Sequence, residues 1–134
     1  MTTRATGTFE VKLAPLASDE DAQDTSLGRM SIDKQFRGDL EGTSKGQMLT
    51  AGTGVEGSAG YVALEKVSGS LHGRSGTFIL QHNGTMTRGA PRLKITIVPD
   101  SGTGQLVGLT GEMTIKIDDG RHSYDFDYAL PEVS

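Results

Sequence analysis

Glu65 and His82 are the two side chains of this chain whose types and spacing suit acid–base chemistry. Both fall in residues 61–85, YVALEKVSGSLHGRSGTFILQHNGT, otherwise rich in β-branched and aromatic residues and marked by Gly69, Gly73 and Gly76. Such a stretch reads as one long β-hairpin. With His72-Gly73 as the turn, Leu71 faces Arg74. The pairs then run Val67 with Phe78, Glu65 with Leu80, Ala63 with His82 and Tyr61 with Gly84. Glu65 and His82 thereby share a face as diagonal neighbours, roughly 7–8 Å apart at the backbone. Ala63 and Gly84 beside them leave room. A carboxylate and an imidazole among Tyr61, Val67, Phe78 and Leu80 need partners to offset the cost of burial. Two readings are open. In one, His82 donates or accepts a proton while Glu65 orients it or stabilises charge. In the other, the two form a buried structural pair. The functional reading makes Glu65 and His82 catalytic and lines a pocket with Tyr61, Phe78, Leu80, Tyr124 and Phe126.

Other motifs carry less. His72 and His122 lie near hairpin turns, and three histidines without short spacing predict no metal site. SGTGQLVGLTG (101–111) lacks the third glycine of a dinucleotide fingerprint, because after Gly102 and Gly104 the next is Gly108. It reads as a tight connection between strands. Gly42-Thr43-Ser44-Lys45-Gly46 matches the nucleophile-elbow pattern but has turn before it and weak strand after it, where an elbow needs a strand and a helix.

The elements that must hold Glu65 and His82 are strands. Residues 6–13 alternate cleanly, with Phe9, Val11 and Leu13 on one face. Residues 29–36 put Met30, Ile32 and Phe36 on one face, interrupted by Lys34. Residues 43–51 form a weaker strand, and 91–98 alternate Leu93, Ile95 and Ile97 against Arg92, Lys94 and Thr96. Asp119-Gly120 is a type I′ turn signal that pairs Ile117 with His122, Ile115 with Tyr124 and Met113 with Phe126. Residues 14–27 are acidic and patternless and read as a flexible loop. No segment holds a 3.6-residue period. The expectation is an all-β fold, a closed antiparallel barrel of about eight strands, since closure removes exposed edges. Val62, Leu64 and Ile79 fall on the face opposite the presumed cavity and predict a homo-oligomer, a dimer or trimer.

Composition narrows the classes. The 134 residues suit one domain, 1–134. A net charge of −4, with no basic run interleaved with aromatics, argues against nucleic acid. There is no cysteine, and no window approaches a membrane span. The N-terminus lacks an apolar signal segment, so a cytoplasmic location is expected. Nothing calls for a cofactor.

The segments GTFEVK, FRGDLEGTSKGQ, residues 61–85 and VPDSGTGQLVGLTG resemble an uncharacterised bacterial family, a domain of unknown function whose members look like allene-oxide-cyclase-type barrels. GTGQLVGLTG is also similar to a turn of allene oxide cyclases and dirigent proteins, with Leu106 in place of an aromatic residue. The resemblance implies a calycin-like barrel with an apolar cavity. It transfers no residue roles. The functional expectation is a cyclase or isomerase acting on a small hydrophobic or aromatic molecule; the alternative is a non-catalytic carrier or sensor of such a molecule.

Overall fold

The computed structural model describes residues 2–16 and 27–131. Eight strands follow in chain order: β1 (Thr3–Pro15), β2 (Leu27–Gly38), β3 (Leu40–Gly52), β4 (Ala59–Leu71), β5 (Arg74–Thr87), β6 (Ala90–Ile97), β7 (Thr110–Asp118) and β8 (Arg121–Ala129). Each pairs antiparallel with its sequence neighbours, and β8 returns to β1, closing an up-and-down barrel. Helix among the described residues is one 3-10 turn, Gly104–Leu106.

Three two-residue turns set much of the register. His72-Gly73 (φ 47° and 81°) and Asp119-Gly120 (φ 50° and 77°) are left-handed at both central positions, as a type I′ turn requires. The β4–β5 and β7–β8 pairings are those expected from these turns, Ala63 opposite His82 and Met113 opposite Phe126 included. Arg88-Gly89 makes a third such turn that its residue types do not advertise, since arginine seldom adopts positive φ.

Two boundaries differ from the sequence reading. β1 continues through Ala14 and Pro15, opposite Ser31 and Met30, and the Leu16 N–H donates to the Arg29 carbonyl at 2.9 Å. Leu27 already pairs with Ala51. The expected 14–27 loop is therefore strand at both ends, and 17–26 lie outside the described residues. Ladder hydrogen bonds persist where side-chain alternation has faded, which is why composition misplaced these ends. β3 likewise starts at Leu40 and runs through Gly42.

The interior has two different halves. At one end Leu40, Leu71, Phe78, Leu106, Leu109 and Phe126 are fully buried. Tyr124 pins this end. Its hydroxyl accepts the Leu40 N–H at 2.9 Å and lies 3.0 Å from the Leu40 carbonyl, to which it can donate. The chain after β6 crosses this end along the edge of β5 that β6 leaves free: the Ile79 N–H donates to Ser101 Oγ, and the Thr77 N–H to Thr103 Oγ1. Ile79 is half-buried, so it does not belong to an exposed apolar patch with Val62 and Leu64; Leu27 and Leu49 do. Among the described residues the other end of the barrel is open. Leu13, Met86, Leu93 and Ile117 occupy inward positions of their strands yet are 41–69% exposed.

Replacing Tyr124 by Phe leaves the buried Leu40 N–H without a partner. The expected loss is about 1–3 kcal/mol, read as a lower urea midpoint at unchanged slope.

Candidate functional site

Glu65 points from β4 into the barrel and is 1% exposed. Its Oε2 accepts from Lys34 Nζ at 2.8 Å and lies 2.8 Å from His82 Nε2. Its Oε1 accepts from the Ser44 hydroxyl at 3.0 Å. The other face of the imidazole, His82 Nδ1, sits 3.2 Å from the Tyr61 hydroxyl. Five side chains from four successive strands thus form one connected chain of hydrogen bonds.

Strand register explains the convergence. Lys34 on β2 faces Ser44 on β3; Glu65 on β4 faces Gly46, and His82 on β5 faces Ala63. Two glycines supply the space. A Cβ at Gly46 would fall 2.6 Å from the Glu65 Cα, and one at Gly84 would fall 2.4 Å from the Tyr61 ring. The Tyr61 ring therefore lies directly over Gly84, where it is held within reach of His82.

Burial by itself raises the Glu65 pKa. The His82 hydrogen bond and then the Lys34 charge outweigh it, and the carboxyl titrates below its ordinary value. Glu65 is a carboxylate at neutral pH. Lys34 is buried too, with Nζ 5.1 Å above the Phe9 ring and 5.8 Å from that of Phe36. Those ring faces attract the part of the ammonium that Glu65 does not meet. Burial, and secondarily the Glu65 charge, push the Tyr61 phenol up.

Half-buried Tyr61 also lines an open cleft of about 620 Å³ at the barrel mouth, with Met48, Met86, Pro91, Leu93 and Ile117. Among the described residues of that lining Arg92 is the single charged one. Of the residues expected to line a pocket, only Tyr61 is there. Phe78, Leu80, Tyr124 and Phe126 are packed in the apolar core instead, where the Phe78 and Phe126 rings stack with centroids 6.0 Å apart. Met48, Met86, Pro91, Leu93 and Ile117 were not foreseen as the lining of the mouth. Lys34 and Ser44 were also missed. The signal for Lys34 was present: it breaks the apolar face of Met30, Ile32 and Phe36.

The remaining histidines stand elsewhere. His72 Nδ1 meets the Tyr128 hydroxyl at the closed end, and the His122 ring packs 5.2 Å from Phe9. Among the described residues no three His, Cys, Asp or Glu are grouped to hold a metal ion. None of the described helices is long and apolar enough to cross a membrane.

The fold and site define a closed eight-stranded antiparallel barrel with a buried ionic chain that ends at its open mouth. A family model described as "Protein of unknown function (DUF3224)" matches residues 5–128, and the chain belongs to that family. It is similar to the crystal structure of a DUF3224 protein of unknown function from Shewanella oneidensis MR-1. The two are 48% identical, the match covers 99% of this chain and 100% of that one, and the TM-score is 0.92. No curated protein matches the chain.

The charge pair generates a stability prediction. Glu65→Gln or Lys34→Met alone leaves a buried charge unpaired and should cost about 3–5 kcal/mol; the double variant should cost far less than the sum. The lowered Glu65 pKa stabilises the fold above the unfolded-chain value of about 4.3. That contribution is lost as pH falls from there through the folded value. Chemical unfolding between pH 7 and 3 should show a corresponding loss in the wild type that the double variant lacks.

Proposed function

We propose that the mouth cleft binds a small hydrophobic or aromatic molecule and that Tyr61, His82 and Glu65 move a proton on it, making the protein an isomerase or cyclase. One observation carries the reading: Tyr61 belongs both to the apolar cleft wall and to the buried chain behind it. A bound molecule gives a proton to the Tyr61 oxygen as the Tyr61 proton passes to His82 Nδ1. Glu65 then faces the imidazolium at Nε2. Reversal returns a proton to a different atom of the molecule. The net change is an isomerisation that needs no oxidant and no second substrate. Contact between Glu65 and His82 favours this over simple carriage.

A second reading, a carrier or sensor without turnover, has its own support. Lys34 already balances Glu65, so an imidazolium would add an uncompensated charge to the interior. The exposed face of Leu27, Leu49, Val62 and Leu64 supports self-association as a dimer or trimer. In that case Leu64→Glu should lower the light-scattering mass to that of one chain.

2-Naphthol in deuterated buffer separates catalysis from carriage. The proposed enzyme binds it saturably and accelerates hydrogen–deuterium exchange at its carbon 1. Tyr61→Phe and His82→Gln should abolish the acceleration, and Ile117→Glu, an exposed position, should abolish binding. Saturable binding without acceleration leaves the carrier reading, whereas absence of binding removes both.

A further inference from the structure

We infer that the molecule taken by the cleft presents a hydrogen-bond donor to Tyr61, so that the site selects apolar alcohols, phenols or enols over their ethers and ketones. The inference rests on the cleft being a ligand site, as proposed above, and follows from the direction in which each hydrogen bond of the buried chain must run.

An ionised carboxylate only accepts. Glu65 Oε1 takes the Ser44 proton, and Oε2 takes one from the Lys34 ammonium. The His82 Nε2 that touches Oε2 must therefore carry a hydrogen. A second hydrogen on the ring would make it an imidazolium. Lys34 and Glu65 already cancel, and the neighbouring Phe9 and Phe36 rings sit on the lysine, so nothing among these partners offsets a further positive charge. The resting ring is neutral, with its proton on Nε2 and a lone pair on Nδ1. Tyr61 stands 3.2 Å from that lone pair and must donate to it. Its one proton is thus committed inward. What the Tyr61 oxygen has left for the cleft is acceptor capacity alone. A carbonyl or ether oxygen placed against it would meet lone pairs, while a hydroxyl would complete the chain.

Lys34 is the positioning residue behind this polarity, although it touches no ligand. It is remote from the cleft, yet its charge decides whether His82 rests neutral and hence which way the Tyr61 proton points. Lys34→Met should therefore erase the preference for 2-naphthol over 2-methoxynaphthalene in whatever fraction folds, which a purely structural lysine would leave unchanged.

Calorimetric titration of the full chain with 2-naphthol, 2-methoxynaphthalene and naphthalene tests the inference. The expected result is that 2-naphthol binds about tenfold more tightly than the other two, the size expected of one satisfied hydrogen bond. In Tyr61→Phe the three should bind alike. Equal binding of 2-naphthol and 2-methoxynaphthalene to the wild type would overturn the donor rule while leaving the cleft as a ligand site. Binding of none of the three would overturn the ligand site itself, and this inference with it. An independent readout is the ¹⁵N spectrum of the His82 ring in the unliganded protein. A proton on Nε2 and a bare Nδ1 are expected; a proton on Nδ1 would refute the argument whatever the ligands do.

Discussion

A carboxylate held ionised in the middle of a small barrel constrains almost everything around it. Glu65 has lost its water, and three other strands replace it: an ammonium from β2, a hydroxyl from β3 and an imidazole from β5. Removing water from a charge is costly, and the partners offset it only when each is close and directed. That requirement ties the registers of four strands to one another, with Gly46 opposite Glu65 and the Phe9 and Phe36 rings under Lys34.

The ionic chain also divides the barrel. Toward one end the interior is apolar and filled, capped by Leu106 and Leu109 from the crossing segment and pinned by the Tyr124 hydroxyl. Toward the other, inward-facing positions carry Met48, Tyr61, Gly84, Met86 and Leu93 around open space. Methionine suits such a wall, because its unbranched, polarisable side chain adapts to differently shaped neighbours. The charged groups lie where filled and open halves meet, and among the described residues Tyr61 connects them to the cleft.

Much of this was legible in the sequence wherever a two-residue turn fixed the register. His72-Gly73 and Asp119-Gly120 determine which residues face each other across β4–β5 and β7–β8, and that placed Glu65 and His82 on one face. Lys34 was visible as an interruption, but its partner lies two strands away, and no turn of recognisable type sets the β2–β3 register. The turn there uses Gly38 at φ 113° beside Asp39. Which end is open was not readable at all. That depends on how far each strand extends and on where 98–109 crosses, neither of which leaves a periodic mark. Phe78, Leu80, Tyr124 and Phe126 share the inward face with Tyr61, and alternation alone cannot say that they lie deeper.

The ring of strands is unequal in thickness. β6 and β7 meet through two residue pairs, Ile95 with Met113 and Thr96 with Glu112, where β4 and β5 are joined along thirteen. A ring with one thin link behaves as a sheet closed by a latch. Local opening costs least where the fewest backbone hydrogen bonds are broken, so breathing concentrates at this seam. When the latch lifts, two short edges face solvent with Lys94 and Lys116 close by, and charged edges discourage pairing with another chain. The seam between β6 and β7 is thus the thinnest link of the ring, and lysines stand beside the edges it joins.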